Sequence, residues 1–485
     1  MIPYLRPDNP PLALAILKGS LEMSGIETKV RDFNIDVIEY FTEEEIKEIE
    51  KFCSDTSYYN KKLIMKIRKF YRYVIKKHIK EFSPDVVGLS LFSFFMQRTA
   101  ELFSLEIKNF NPKCKVFMGG SGVTRFFSRK TDNSPDKIDD WSKNVINKNI
   151  ADAVIIGEGE NAVVDFCKNK IKDIVIVPQL KDLESMSKTN FDGIDIKKYS
   201  QRLDNSFNKP GPVVTITGSR GCPRKCSYCN VEAIWPSFVF RPAKQIVDEM
   251  EEYIKKLGVR KFKFTDSLVN GSSSNWRKLN SEIIERDLDI EYTGQFIAKP
   301  HGQTLDNDYV LAKKAGASHL SIGIESGSES VRNHMQKKFD NFSLYETIDN
   351  LNKNNIKQQW MLITGYPTET EEDFEDTINL LKKYKEFGHM ISISIVSFLL
   401  LSDSPIASQD KYKDLKFING NTNNESIENF WICLNNPTLN FEQRLTRYHR
   451  AIDTAIECGY LNTNLDSYKK RITFYDTKTN TQILS

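Results

Sequence analysis

The run Gly221-Cys222-Pro223-Arg224-Lys225-Cys226-Ser227-Tyr228-Cys229 decides how this chain is read. Its cysteines are spaced C-x3-C-x2-C. Three thiolates so placed can hold three irons of a [4Fe–4S] cluster. The fourth iron then has no protein ligand and is open to a substrate or cofactor. A C-x2-C pair alone would also suit zinc, which wants a fourth ligand. No other cysteine or histidine lies within 50 residues on either side, and Cys167 and His301 are the nearest. A distant fourth ligand of that kind stays open. The other cysteines, Cys53, Cys114, Cys167, Cys433 and Cys458, stand singly and read as small buried hydrophobes.

Outward from that run, strands alternate with helices. Val213 to Thr217 reads as a strand leading into the cysteines, and Pro242 to Leu257 as a helix. Further strands are expected at Lys261–Thr265, Glu291–Ile297, His319–Glu325, Gln359–Gly365 and Met390–Leu400. Six strands, each running into a helix or a glycine turn, suggest a partial (β/α)6 barrel over residues 209–401. Sites in such barrels form at the C-terminal ends of strands. The cysteine run, Asp266, Glu325 and Gly365 all fall there.

Residues 1–180 also read as a parallel α/β layer, Rossmann-like in form. A helix is expected at Pro11–Glu22 and a strand at Thr28–Phe33. Asp85–Leu91, Lys115–Gly120 and Ala153–Glu160 are apolar strands, the last two running straight into glycine. Open α/β sheets bind ligands outside the carboxyl ends of their strands. Leu63, Ile67, Phe70 and Val74 keep helical spacing in the basic segment Lys61–Lys80. That segment reads as a solvated helix face, with an acidic partner or nucleic acid as the alternative. Residues 181–208 form a polar linker in which Phe191-Asp192-Gly193 can pack locally. Residues 402–485 are a small, mainly α segment covering the substrate, with a helix from Phe441 to Glu457 and a polar tail after Ser467. Trp431 and that helix are candidates for closing the pocket, and equally for plain core.

The chain has 485 residues, 40% hydrophobic and 27% charged, with a net charge of +3. No basic excess argues for nucleic acid. Met1 to Pro7 does not resemble a signal peptide. The most apolar stretch, Ile391 to Leu401, falls far short of the ~20 residues of a spanning helix. A cytoplasmic protein without membrane contact is expected.

At these residues the chain resembles radical SAM enzymes. Cys222, Cys226 and Cys229 match the family's cluster motif, and Tyr228 fills its aromatic place. The resemblance implies that S-adenosylmethionine (SAM) chelates the open iron and is cleaved reductively. A 5′-deoxyadenosyl radical then abstracts hydrogen from a substrate. Thr265-Asp266-Ser267 sits where relatives carry a GGE motif, from which it departs. Asp266 and Ser267 would contact the SAM amine, with a helix N-cap as the alternative role of Asp266. Glu325-Ser326-Gly327-Ser328 resembles an ESGS segment, and Glu325 or Ser326 would reach the ribose hydroxyls or the carboxylate. Gly365-Tyr366-Pro367 resembles a step lining the adenine, or is a simple turn. Met335 and Lys337-Lys338 resemble an M-x-K helix that packing explains without chemistry.

The N-terminal layer is similar to the cobalamin-binding domains fused to such barrels. There Gly119, Gly120, Ser121, Gly157 and Gly159 would neighbour the corrin or its nucleotide tail. The D-x-H-x-x-G motif is missing, and His78, His301, His319, His334, His389 and His449 lie outside these loops. The chain also begins where relatives have completed their first strand. A layer that only packs against the barrel is the alternative.

The expectation is therefore a cobalamin-dependent radical SAM methyltransferase acting on an unactivated carbon or phosphorus centre. Its cofactors would be a [4Fe–4S] cluster, SAM and cobalamin, and no catalytic side chain is assigned beyond the cluster. The resemblance implies two uses of SAM, one to methylate cobalt and one to make the radical. A flavodoxin or ferredoxin would supply electrons, and the substrate is a small molecule or peptide. One alternative is a radical rearrangement or ring-forming enzyme without methyl transfer. Another is a non-catalytic iron–sulfur electron carrier. A methylthiotransferase is disfavoured because its extra N-terminal cysteines are missing.

Overall fold

The computed structural model describes residues 9–124, 140–199, 206–401, 403–408, 414–417 and 431–460. The polar tail after Ser467 and much of the 402–485 segment fall outside these residues. The chain divides into two compact units, one of Met1–Asp204 with Gly211–Thr215, the other of Asn205–Pro210 with Ile216–Ser485.

The first unit is built on four strands, β1 (Val86–Ser90), β2 (Lys115–Gly119), β3 (Ala153–Gly157) and β4 (Asp173–Val177). They lie in the order β1-β2-β3-β4, and all three pairings are parallel. Gly88 of β1 pairs with Phe117 of β2, and a Cβ there would fall 2.2 Å from the Phe117 ring. The glycine makes room for a neighbouring aromatic. Helices Leu12–Met23, Glu43–Ser54, Lys61–Val74 and Gln97–Phe110 accompany the sheet. Thr42 begins the second of these with a reciprocal capping box to Glu45. Leu63, Ile67, Phe70 and Val74 are all buried, as their spacing required. The basic face of that helix is partly consumed internally: Arg68 and Arg72 donate to the buried Glu106 carboxylate at 2.5 and 2.6 Å.

The strand expected at Thr28–Phe33 does not form. Residues 28–32 are irregular, and Phe33 opens a helix to Tyr40. The Asp32 side chain accepts from the Asn34 N–H at 3.0 Å, which starts that helix. Residues 183–199 are tied into this unit: Leu183, Phe191, Ile194, Ile196 and Tyr199 are buried, and Ser187 bonds Ser20 at 2.6 Å. A Cβ on Gly19 would meet the Lys188 carbonyl oxygen at 1.8 Å, so only glycine admits this crossing.

A six-stranded sheet lies in the second unit except for Val213–Thr215 of its edge strand, which are grouped with the first. Its members are β5 (Val213–Ile216), β8 (Lys261–Phe264), β9 (Glu291–Phe296), β10 (Ala317–Glu325), β11 (Lys357–Thr364) and β12 (Ile391–Ser397). The order is β12-β11-β10-β9-β8-β5, with parallel pairing from β8 through β12. The short β6 (Ser219–Arg220) and β7 (Val239–Phe240) pair antiparallel between β5 and β8 in the chain. Helices Ala243–Leu257, Ser273–Glu285, Asp306–Lys314, Asn341–Lys353 and Glu371–Lys383 follow successive strands. Ile322, Ile324, Trp360, Leu362, Ile393 and Ile395 are almost entirely buried, as a sheet covered on both faces demands. No helix among the described residues is long and apolar enough to cross a membrane.

Candidate active site

β5 leads into a loop pinched at its neck. Ser219 and Arg220 pair with Phe240 and Val239, so residues 221–238 project as one closed excursion. Gly221 has φ +80°, and a Cβ there would fall 2.2 Å from the Ser237 carbonyl oxygen. Only glycine fits that turn. Asp266, at the end of β8, accepts from the Gly218 N–H at 2.7 Å and the Ser219 hydroxyl at 2.6 Å. Arg241 braces the other side through the Thr217 carbonyl at 2.9 Å and Glu249 at 2.5 Å. Burial pushes the Asp266 carboxyl up to about 6, against the pull of those hydrogen bonds. Asp266 therefore anchors the cysteine loop, and it caps no helix: Ser272 caps the one that follows. Ser267 beside it is half-buried.

The loop interior is held from three directions. Ser227 is fully buried; its N–H donates to the Met335 carbonyl at 3.1 Å, and its carbonyl accepts from the Ile406 N–H at 2.7 Å. Its hydroxyl pairs with the Tyr366 hydroxyl at 2.9 Å and donates to the His334 carbonyl at 3.3 Å. Tyr366 is also fully buried and bonds His334 Nδ1 at 3.0 Å. The expected adenine-lining tyrosine thus turns its hydroxyl to the cysteine loop. Gly365 has φ +72° and packs on Arg444, whose guanidinium stacks on Trp431 at 3.9 Å. Trp431 is fully buried against Phe398 in an apolar cluster with Tyr366 and Met335.

Next to the cysteines lies a group that sequence reading did not assemble. Tyr228 donates to Glu325 Oε1 at 2.8 Å. Lys337 Nζ donates to the same oxygen at 3.0 Å and to the Tyr228 hydroxyl at 3.4 Å. Lys337 is only 4% exposed. Glu325 closes β10 in a left-handed conformation, φ +69°. Gly323 leaves the space its carboxylate needs, since a Cβ would fall 2.7 Å from Glu325 Oε1 and 3.1 Å from Lys337 Nζ. Packing alone, the role its sequence context suggests, does not account for these bonds of Lys337. A lysine between the buried Met335 and Phe339 was the available signal. Ser326 turns inward instead: its hydroxyl meets Thr377 at 3.4 Å and accepts from the Ser328 N–H at 3.1 Å.

All three site cysteines are free thiols. Burial raises Cys222 and Cys226 and pushes Cys229 up to about 11, while the Lys337 charge opposes each shift. Burial would lower Lys337 itself, but the charges of Glu325 and Cys226 outweigh it and keep it a cation. Among the described residues, no three His, Cys, Asp or Glu side chains converge on one ion position. A zinc ion would need its thiolates gathered about 2.3 Å from one centre. Three closely spaced free thiols on one loop are a donor set that fits three irons of a cluster.

In the first unit, Gly119, Gly120 and Ser121 lie at the end of β2, and Gly157 and Gly159 at the end of β3. Gly120 has φ +97° and would place a Cβ 2.4 Å from the Leu91 carbonyl oxygen. Its smallness is required by the neighbouring loop after β1. Ser121 bonds the Phe92 carbonyl in that loop. A Cβ on Gly119 would make only ordinary contact, 3.4 Å from the Ile155 carbonyl oxygen. Phe92 is 69% exposed on the same edge. An open glycine edge beside an exposed aromatic suits a large flat cofactor. His78, the one histidine before residue 301, packs on Phe33 and Asp36 instead.

A parallel half-barrel with a three-cysteine loop after its first strand defines a cluster-bearing barrel, preceded in the chain by a parallel α/β layer. Residues 216–381 match the radical SAM superfamily. The chain is 26% identical over 245 residues to bacteriochlorophyllide d C-12(1)-methyltransferase of Chlorobaculum tepidum, covering 47% of this chain and 50% of that protein. It is 23% identical over 332 residues to anaerobic magnesium-protoporphyrin IX monomethyl ester cyclase of Rubrivivax gelatinosus, covering 64% and 56%. The chain thus spans about half the length of these curated relatives. Its fold matches that of the radical SAM methyltransferase TsrM from Kitasatospora setae, solved with cobalamin and a [4Fe–4S] cluster bound. The TM-score is 0.59 at 14% identity, covering 95% of this chain and 88% of that one.

Proposed function

We propose that this protein is a cobalamin-dependent radical SAM methyltransferase. The observation that carries the reading is the loop of Cys222, Cys226 and Cys229, braced by side chains from the ends of three later strands. Bound there, the cluster would supply one electron to cleave SAM, and cobalamin would carry the methyl group. Cys222, Cys226 and Cys229 would hold the cluster. Asp266, Ser227 and Tyr366 keep the loop in shape, and Tyr228 and Glu325 lie beside it. Glu325, Ser267 and Gly365 stay the candidates for contact with SAM. Gly119, Gly157, Gly159 and Phe92 are the residues that would meet cobalamin. An electron donor such as a flavodoxin or ferredoxin completes the system.

The test is anaerobic reconstitution of the full chain with iron, sulfide and hydroxocobalamin, followed by optical spectra and product analysis with SAM and dithionite. S-adenosylhomocysteine together with 5′-deoxyadenosine supports methyl transfer. 5′-Deoxyadenosine alone favours rearrangement or ring closure, a second reading that the similarity to the cyclase keeps in view. A cluster that never cleaves SAM would leave only an electron carrier.

A further inference from the structure

Lys337 is the feature the proposed function does not use. Its ammonium is buried and bonded to the hydroxyl of Tyr228, the residue next to Cys229, and to Glu325, and its charge opposes the burial shift of all three thiols. A buried lysine–carboxylate pair adds little to stability on its own. Here it also takes a left-handed Glu325 and an empty Gly323 to seat it. Strain of this kind points to function. Resting on the cluster reading, we propose that Lys337 is a positioning residue: a fixed counter-cation that raises the cluster's reduction potential. A [4Fe–4S]2+ core bound by three thiolates carries one net negative charge. Taking up one electron from a donor makes it two. A cation in a poorly screened site stabilises the second state more than the first. Net charge, hydrogen bonding and exposure are the levers by which proteins set such potentials. Glu325 and Tyr228 hold the ammonium in place.

The charge algebra gives opposite signs for the two partners. The experiment is an EPR-monitored redox titration of the reconstituted full chain, without SAM. Lys337→Met should lower the midpoint, Glu325→Gln should raise it, and Lys337→Arg should stay near the parent. The expected size is at least tenfold in the one-electron equilibrium, ~59 mV. An unmoved midpoint in Lys337→Met with the cluster loaded overturns the proposal. If that variant fails to hold a cluster, Glu325→Gln decides: a midpoint unmoved or lowered overturns it equally. A parent protein that takes up no cluster at all sinks the functional reading and this one with it.

Discussion

At the scale of single residues, the neck of the cysteine loop is the most demanding place in the second unit. Gly221→Ala forces a side chain into a left-handed turn, 2.2 Å from the Ser237 oxygen. The expected loss is about 2 kcal/mol in urea unfolding, with a parallel fall in iron bound per chain. Tyr366→Phe removes one hydroxyl from a buried pair and should cost about 1 kcal/mol by the same measurement. Cys226→Ala removes one of the three thiols proposed to hold the cluster. Cleavage of SAM by the reconstituted protein should then fall at least a hundredfold in a 5′-deoxyadenosine assay. Retained cleavage at the parent's rate would sink the cluster assignment. The cysteine motif itself was legible from spacing alone, because three thiols within eight residues need no tertiary information. Lys337 was not, because the apolar Met335 and Phe339 around it hint at burial but do not say what the charge meets.

At the scale of elements, the joint between the ends of β5 and β8 depends on a buried carboxyl. The folded-state Asp266 pKa, about 6, lies above its ordinary 3.8. The folded form therefore holds the proton more tightly than the unfolded chain. Its contribution is complete below about pH 4 and is lost as pH rises through 6. The loss is about 3 kcal/mol. Asp266→Asn keeps an acceptor for the Gly218 N–H and should abolish this slope. Urea midpoints of both proteins between pH 4 and 8 check it; parallel curves would refute the buried-carboxyl account. Glu369, near the end of β11, has its carboxyl pushed up to about 7 by burial, against the Gly365 N–H and Arg447. Arg447 reaches it from the helix Phe441–Glu457 at 3.0 Å. Arg447→Ala strands this acid and should cost about 3 kcal/mol in the same assay at pH 8. The strands that these joints connect were readable as short runs leading into a turn or a glycine. The failed strand at Thr28–Phe33 shows the limit, because there an Asp32 cap outweighs β-formers.

At the scale of the whole molecule, the order of elements was written in the chain. Apolar periodicity, turn glycines and ligand spacing act over a few residues, so a parallel α/β layer, a half-barrel and a three-cysteine loop could all be read off. What meets what was decided only by folding. Tyr228 and Glu325 are 97 residues apart in sequence, and Ser227 and Tyr366 are 139 apart. Parallel pairing brings such distant strand ends to one edge, and no local pattern encodes which side chain lands beside the thiols. Asp266 as the anchor of the loop, Tyr366 as its clamp and Lys337 as its buried charge therefore belong to the tertiary structure, because each is defined by a contact across the sheet.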